Sequence, residues 1–276
     1  MEAEHGVPQR RACLLVGVWR STRRYAARAG RGDDPAPRMR DLARRHPRYG
    51  YRRVTALLRR EGAAVNHKRV ERLWRLEGLG LPRRRPRRRK FGPPAERTLK
   101  AERRGQVWSW DIVEDRTESG TKLRFLPVLD EHTRECHTIR VGRSMPSERV
   151  ATALEELAGE HGAPEHVRMD NGPEFTARRV RTLLEERGSK AAYIEPGSPW
   201  QNPFIESFNG RFRDECLNRE VFASLAEARA VAEAWRLHYN LERPHSSLGY
   251  RTPAEAAKSA GPHGARAEDS LIGTGT

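Results

Sequence analysis

The sequence predicts an α/β core, with a mixed sheet covered by helices, preceded by an all-α helix-turn-helix region. Three observations lead to this fold class. Apolar residues recur at helical spacing before residue 80, strand-like runs begin at residue 106, and strands alternate with helices in the second half of the chain. With 276 residues, of which 36% are hydrophobic, the chain is long enough to bury a core in one or two domains.

Positive charge is concentrated in the first third of the chain. Residues 1–100 hold 29 Lys and Arg against 9 Asp and Glu, whereas residues 101–276 hold 24 against 28. A basic region of this strength favours a polyanion as partner, with DNA or RNA the obvious one. The alternative is a coding bias, since 47 of the 53 basic residues are Arg, but a bias alone does not confine the excess to one region.

Two helices with clear end signals form the predicted helix-turn-helix. The first, Tyr51–Glu61, ends at Gly62, and the second, His67–Glu77, begins after Asn66 as its cap and ends at Gly78. The short connection between them has the spacing of a helix-turn-helix. The second helix carries four basic side chains away from its apolar stripe, which we predict to contact DNA: Lys68, Arg69, Arg72 and Arg75. Any helical hairpin with a solvated basic face has a similar sequence, so this alternative stays open.

Further helices are predicted at residues 8–29 and 39–45, on either side of a Gly- and Pro-rich linker. After the helix-turn-helix, a basic segment interrupted by Pro (LPRRRPRRRK) predicts a linker that is disordered when free and follows a DNA backbone. Its alternative is a solvated spacer. The predicted DNA contacts of this linker are Arg83, Arg84, Arg85, Arg87, Arg88, Arg89 and Lys90.

From residue 106 the predicted order is three strands, a helix, a strand, a helix, a strand and a helix. This order is that of the ribonuclease-H-like architecture, a mixed sheet with flanking helices. The predicted strands are Gln106–Val113, Leu123–Asp130, Glu135–Gly142, His166–Asp170 and Ala191–Ile194, and the predicted helices are Ser147–Gly162, Pro173–Gly188, Pro203–Asn218 and Ser224–Asn240. A turn-rich stretch, Glu114–Lys122, joins the first two strands.

These patterns divide the chain into five parts. We predict a helical DNA-binding region at 1–80, a basic linker at 81–104, the core at 105–220, a C-terminal helical extension at 221–258 and a disordered tail at 259–276.

Three carboxylates stand at positions where a charged group is costly or functional. Asp111 is predicted in the middle of the first strand, where an unpaired charge is unfavourable. Asp170 ends the fourth strand and runs through Asn171-Gly172 into a helix, the place where α/β sheets carry functional groups. Glu206 lies on the first turn of a helix for which we predict Asn202 as the N-cap and Pro203 as the first residue.

Each carboxylate also has a plain structural interpretation. Asp111 fits a strand-edge charge, Asp170 an Asx turn, and Glu206 a partner of the helix dipole. Glu174, four residues after Asp170, competes with Glu206, and we interpret it as a stabiliser of the first helical turn. The 35 residues between Asp170 and Glu206 carry little weight alone, because Asp41 and Glu77 have the same spacing within the helical region.

Convergence of the three acids at one sheet end predicts a site for hard divalent cations, Mg²⁺ or Mn²⁺, in a pair suited to in-line phosphoryl transfer. The three Cys residues are far apart and form no Cys-x-x-Cys pair, so we expect neither a disulfide framework nor a zinc site. No apolar run is long enough to cross a membrane, and the composition fits a reducing, cytoplasmic setting.

Six stretches resemble an insertion-sequence transposase with a retroviral-integrase-type catalytic core, most closely the second-reading-frame subunit of the frameshift-encoded family. They are HPRYGYRRV (46–54), VNHKRVERL (65–73), WSWDIV (108–113), MDNGPEF (169–175), IEPGSPWQNPFIESFNGRFRDECLN (194–218) and YNLERPHSSLGYRTPAEA (239–256). The resemblance covers residues 9–258.

The resemblance implies a DDE enzyme in which Asp111, Asp170 and Glu206 bind the metal ions. The implied chemistry is nicking of DNA at an element end by metal-activated water, followed by attack of the freed 3′-OH on target DNA. It also implies further DNA contacts in a mobile loop and on the helix that follows it: Trp200, Gln201, Asn202, Asn209 and Arg213. Asn171 and Asn209 are candidates either to support the metal-binding acids or to contact the DNA backbone. Arg243 and His245 are candidates for either DNA contact or packing.

The resemblance further implies partners and a location. They are element ends and target DNA, a second copy of the chain assembled on DNA, an upstream-frame protein as fusion or subunit, and a place at the bacterial nucleoid. Retroviral-type integrases carry a His/His/Cys/Cys module before the core, and nothing here matches it, which again argues against zinc. Two rival interpretations stay open: a structure-selective nuclease of the same fold, and a catalytically idle DNA-binding regulator of transposition.

Overall fold

The computed structural model describes residues 6–23, 34–82, 99–195 and 201–261. In the amino-terminal region the helices are α1 (Gln9–Leu15), α2 (Arg20–Arg23), α3 (Ala36–Arg45), α4 (Tyr51–Arg60) and α5 (His67–Leu76). The single helix predicted at 8–29 is wrong in its described part, because the chain turns after Leu15 with Gly17 at φ +65°. Only glycine adopts that backbone conformation at little cost.

Helices α3, α4 and α5 pack on one another and form the predicted helix-turn-helix. The Asn66 side chain accepts a hydrogen bond from the backbone N–H of Lys68 at 3.0 Å, so it caps α5 as the sequence predicts. The buried residues of this small core lie on the apolar stripes of the three helices: Met39, Leu42, Val54, Leu58, Val70 and Trp74.

The core contains one mixed sheet with strands β1 (Val107–Trp110), β2 (Val113–Arg116), β3 (Lys122–Asp130), β4 (Cys136–Gly142), β5 (His166–Met169) and β6 (Lys190–Tyr193). The long strand β3 pairs antiparallel with β4 and also with β1 and β2. β5 pairs parallel with β1 and with β6. The ribonuclease-H-like arrangement predicted from the element order is therefore present.

One predicted strand differs from the strands observed in the sheet. The predicted strand Gln106–Val113 is two strands, β1 and β2, and β2 extends into the stretch predicted as a turn. The interruption falls at Asp111, whose carboxylate accepts a hydrogen bond from the backbone N–H of Ile112 at 2.8 Å. A side chain that bonds its own backbone in this way competes with the strand ladder.

Helices cover both faces of the sheet. They are α6 (Ser147–His161), α7 (Pro173–Thr176), α8 (Arg178–Glu186), α9 (Pro203–Glu215), α10 (Leu225–Leu241) and α11 (Pro253–Ser259), with short 3₁₀ helices at Leu217–Arg219 and Ser246–Leu248. Trp108 and Trp110 of β1 pack toward α6 and α8, whereas Phe125 of β3 packs with aromatic residues of α9 and α10. The predicted helix Pro173–Gly188 is interrupted at Ala177, which has an extended ψ of 143°.

The helix-turn-helix contacts the C-terminal part of the core through a polar junction. Arg243 donates hydrogen bonds to both carboxylate oxygens of Glu215, at 2.7 and 2.5 Å, and the Arg243 side chain is only 1% exposed. Tyr49 Oη lies 3.0 Å from His238 Nε2. His245 is buried edge-on against the ring of Tyr239. The packing interpretation of Arg243 and His245 is therefore the one that the structure supports.

Within the described segments, the structure contains no helix that is both long and apolar enough for a membrane span.

Candidate active site

Asp111 and Asp170 come together because their strands are parallel neighbours. β1 pairs with β5 in a register that sets Ser109 opposite Arg168. Two residues further along each strand, Asp111 and Asp170 therefore lie side by side at the edge formed by the C-terminal ends of these parallel strands. Each aspartate follows the last residue of its strand. The prediction that Asp111 lies in the middle of a strand is therefore wrong, since it stands one residue beyond β1.

Asp111 is held by two donors in a largely buried position. Its Oδ1 accepts from the backbone N–H of Ile112 and its Oδ2 accepts from Asn209 Nδ2, both at 2.8 Å. Burial raises the pKa of Asp111 to about 6, the Ile112 hydrogen bond opposes that rise, and the charges of Asp170 and Glu206 add to it. The three acids are thus close enough for their charges to influence one another.

Asp170 lies in a tight turn that also brings Glu174 to the site. The backbone N–H of Gly172 donates to Asp170 Oδ1 at 3.1 Å. A Cβ at Gly172 would stand 3.0 Å from that same oxygen and 3.2 Å from Glu174 Oε2, so a larger residue would crowd both carboxylates. Asn171 Nδ2 donates to the carbonyl of Ile194 at 2.7 Å, which ties the ends of β5 and β6 together.

Glu206 is exposed on the first turn of α9, and the start of this helix is anchored to β1. Asn202 stands at the N-cap position, but its side chain makes no cap hydrogen bond. It is buried, and its Nδ2 lies 3.4 Å from the carbonyl of Trp110, the residue before Asp111. The capping role predicted for Asn202 is therefore replaced by a link between α9 and the end of β1.

The other residues predicted to contact DNA occupy varied positions. Lys68, Arg72 and Arg75 are exposed on α5 and Arg69 is half-buried. Arg213 is exposed, and Gln201 Oε1 accepts from the backbone N–H of Glu195 at 2.8 Å. Asn209 is buried against Asp111, a position that suits support of that carboxylate better than contact with DNA. Residues 83–90 and Trp200 lie outside the described residues.

The donor set at this edge fits a hard divalent cation. Carboxylate oxygens are the ligands that Mg²⁺ and Mn²⁺ prefer. Two buried amide oxygens, Asn202 Oδ1 and Asn209 Oδ1, have no hydrogen-bond partner in the part of the chain that the structure describes. In that same part, no group of three or more Asp, Glu, His or Cys side chains is placed so that it could hold a metal ion. Asp111 and Asp170 are neighbours at this edge, and Glu206 lies on the first turn of α9.

A buried ionic network, which the sequence reasoning missed, lies beneath the two aspartates. Arg168 of β5 donates to both carboxylate oxygens of Glu131 at 2.7 and 2.9 Å, and Ser109 of β1 donates to the same carboxylate. The Glu131 side chain is fully buried. A second Arg168 nitrogen donates to the carbonyl of Leu99, so the chain entering the core is fixed on this face. The one available signal was Arg168 itself, a charge between two apolar residues of a short strand.

Comparison with protein families gives three matches along the chain. An HTH-like domain matches residues 33–89, and two integrase core domain models match residues 101–199 and 187–253. The two core matches overlap at residues 187–199, and 11 residues separate the HTH-like match from the first core match.

Relatives are similar over most of their length. The insertion element IS407 uncharacterized 31.7 kDa protein of Burkholderia multivorans is 44% identical over 254 residues, which are 91% of each chain. The transposase InsD for insertion element IS2A/D/F/H/I/K of Escherichia coli is 32% identical over 76% of this chain and 73% of its own. The putative transposase InsK for insertion sequence element IS150 of Escherichia coli K12 is 30% identical over 75% and 77%.

Solved structures resemble the fold. A chain in the cryo-EM structure of a simian T-cell lymphotropic virus intasome with the PP2A regulatory subunit B56 gamma aligns with a TM-score of 0.50 and 15% identity. The alignment covers 85% of this chain and 79% of that one. At this identity the likeness concerns the fold alone. The chain belongs to the family of insertion-sequence transposases that join an HTH-like domain to an integrase core domain.

Proposed function

We propose that Asp111, Asp170 and Glu206 form the catalytic acidic trio with which this transposase cleaves DNA at the ends of its element and joins the freed 3′-OH to target DNA. The observation that carries the proposal is the shared edge of β1 and β5. Asp111 and Asp170 leave it side by side, and α9 brings Glu206 close enough for its charge to raise the pKa of Asp111.

The residues of the chain have separate tasks in this proposal. Ile112 and Asn209 hold the Asp111 carboxylate in one orientation, and the Asn202 contact with the Trp110 carbonyl fixes the start of the helix that carries Glu206. A pair of Mg²⁺ or Mn²⁺ ions bound by the trio would supply Lewis-acid stabilisation of the attacking and leaving oxygens. In the first transfer a water oxygen replaces the 3′-oxygen at phosphorus, and in the second the freed 3′-oxygen replaces the 3′-oxygen of target DNA.

DNA reaches the site through basic surfaces that are part of the same proposal. The exposed face of α5 with Lys68, Arg72 and Arg75 enters a major groove, and the basic linker follows the backbone toward the core. We also propose that the division into DNA-binding region, linker, core and extension is functional, that copies of the chain assemble on DNA, and that the upstream-frame protein acts as fusion or subunit.

The test is a nicking assay with Mg²⁺ on a supercoiled plasmid that carries the element ends. The wild-type chain is tested both alone and fused to its upstream frame. Asp170→Asn and Glu206→Gln are expected to abolish nicking while DNA binding is kept. Glu174→Gln is the matched control, because Glu174 stands beside Asp170 at Gly172 and is the competing acid. Full nicking by Glu206→Gln with loss in Glu174→Gln would assign the third position to Glu174.

Two further outcomes separate the rival functions. Joining of a pre-cut element end to a target plasmid is expected, and cleavage without joining would favour the structure-selective nuclease. DNA binding without any Mg²⁺-dependent nicking, even in the fused form, would favour the catalytically idle regulator.

A further inference from the structure

The junction between the helix-turn-helix and the C-terminal extension contains an open, basic cleft. It has a volume of about 360 Å³ and is lined mainly by Arg52, Arg59 and Arg60 of α4, by His67 at the start of α5, and by Tyr250. Residues from the two ends of the chain therefore form one surface, about 190 positions apart in sequence. A second cleft, of about 450 Å³, adjoins it on the other side of Arg52 and Tyr250.

The positive charge in this cleft is only partly balanced. Arg60 is paired with Glu255, and in the adjoining cleft Arg48 and Arg53 face Asp214 and Glu215. Two arginines differ. Arg52 donates to the Tyr51 hydroxyl at 3.1 Å and Arg59 to the carbonyl of Val65 at 3.0 Å, and across the described ranges neither has a carboxylate partner. These two guanidinium groups are held in place and keep their full charge for a ligand.

Tyr250 is held in the cleft by a strained turn. It has φ +66° and follows Gly249 at φ +64°, and such a conformation is unfavourable for a residue with a side chain. Arg60 donates to the Tyr250 carbonyl at 3.3 Å, and the Tyr250 backbone N–H donates to the carbonyl of His245 at 2.7 Å. Tyr250 and Arg52 both line this cleft and the adjoining one. The strained turn therefore places the Tyr250 side chain in the same cleft as Arg52, which has no carboxylate partner among the described residues.

We propose that Arg52, Arg59 and the Tyr250 hydroxyl hold the phosphodiester backbone of duplex DNA in this cleft. Arginines without acidic partners and a phenolic donor are groups that bind phosphate oxygens. In helix-turn-helix docking the first helix crosses the backbone while the second enters the major groove, and α4 is that first helix. The N-terminus of α5, at His67, adds its positive dipole end to the same cleft. The inference rests on the proposed function and adds the C-terminal turn to the DNA-binding surface.

The test measures salt-dependent binding of the full chain to a fluorescein-labelled duplex of arbitrary sequence, without divalent ions. Each lost phosphate contact lowers the slope of log affinity against log salt by about 0.9. Arg52→Ala with Arg59→Ala is therefore expected to lower the slope by about 1.8 and to weaken binding about 60-fold near 0.1 M salt. Tyr250→Phe keeps the ring and loses the hydroxyl, and it is expected to weaken binding about tenfold.

The matched control removes the same charge elsewhere. Arg179→Ala with Arg187→Ala takes two exposed arginines from the α8 region, and it is expected to leave the slope unchanged. An unchanged slope in the Arg52/Arg59 variant, or an equal change in the control, would overturn the proposal. The titration contains no divalent ion, so it measures binding independently of catalysis. Failure to nick DNA, even in the fused form, refutes the catalytic proposal and leaves the binding result standing. A wild-type chain that binds no duplex overturns this proposal, and the nicking assay on the fused form decides the catalytic one.

Discussion

Replacement of Asp111 by asparagine is expected to stabilise the core while abolishing nicking. The pKa of this carboxyl rises from its ordinary value of 3.8 to about 6, because the folded state buries it and sets it near two other acids. Above pH 6 the carboxyl is ionised in the folded protein, where its charge is less stable than in the unfolded chain. This difference lowers the free energy of unfolding, and asparagine, which carries no charge, removes the cost. Residues arranged for function often carry such a cost.

The magnitude follows from the shift. A rise of about two pKa units corresponds to about 3 kcal/mol as an upper limit, and we expect about 2 kcal/mol because solvent reaches part of the side chain. The hydrogen bonds survive the change. The Ile112 N–H still finds an oxygen, and the new amide donates to Asn209 once that side chain flips and presents its Oδ1, which has no partner among the described residues.

The assay is unfolding in urea, monitored by tryptophan fluorescence in the presence of EDTA, for the wild type and Asp111→Asn. The gain is expected to be full at pH 8 and to fall to about a third of that value at pH 4.5, since the penalty disappears as pH drops toward 3.8. Glu185→Gln, an exposed change on α8, is the control and is expected to shift stability by less than about 0.5 kcal/mol. Equal stability of wild type and Asp111→Asn at pH 8 would refute the reasoning.

Three more predictions concern the same edge of the sheet. At low Mg²⁺ the nicking rate is expected to fall about tenfold for each pH unit below about 6, because Asp111 must lose its proton to bind metal, and a flat profile from pH 5 to 7 would contradict this. Asn209→Ala, which removes a hydrogen-bond donor to Asp111, is expected to lower the nicking rate about tenfold with folding kept, whereas Asn218→Ala at an exposed position leaves the rate unchanged. Arg168→Leu leaves the Glu131 carboxylate buried and unpaired, so it is expected to lower the free energy of unfolding in urea by about 3–5 kcal/mol. The double variant Arg168→Leu/Glu131→Leu is expected to recover most of that stability. Equal losses in the single and double variants would show that the ion pair is not the cause.

Local signals in the sequence predicted the helical hairpin and most of the core. Asn66 caps α5 and Ser224 caps α10, each through a side-chain oxygen, because capping depends on residues three or fewer positions away. The break between β1 and β2 was missed, since it depends on pairing with β3, a strand whose length lets it pair with both. Strand pairing joins distant residues, and hydropathy along one segment does not show it.

The sequence singled out the acids of the candidate site and named Asn209 as a possible support, but it did not show which side chain each support contacts. Asp111 was singled out as a costly charge inside a predicted strand, and Asp170 as a strand end that runs into an Asn-Gly turn. Asn209 reaches Asp111 from a helix 98 residues later, and Arg168 reaches Glu131 across the sheet. Such contacts depend on which strands and helices become neighbours, so one sequence does not reveal them.

The claim that three acids form one metal-binding centre is tested most directly by soaking crystals of the chain in Mn²⁺ and locating the ion from its anomalous scattering. We expect a peak within about 2.0–2.3 Å of carboxylate oxygens of both Asp111 and Asp170, with Glu206 drawn toward the same centre. An anomalous peak at another place, with none between Asp111 and Asp170, would contradict the claim.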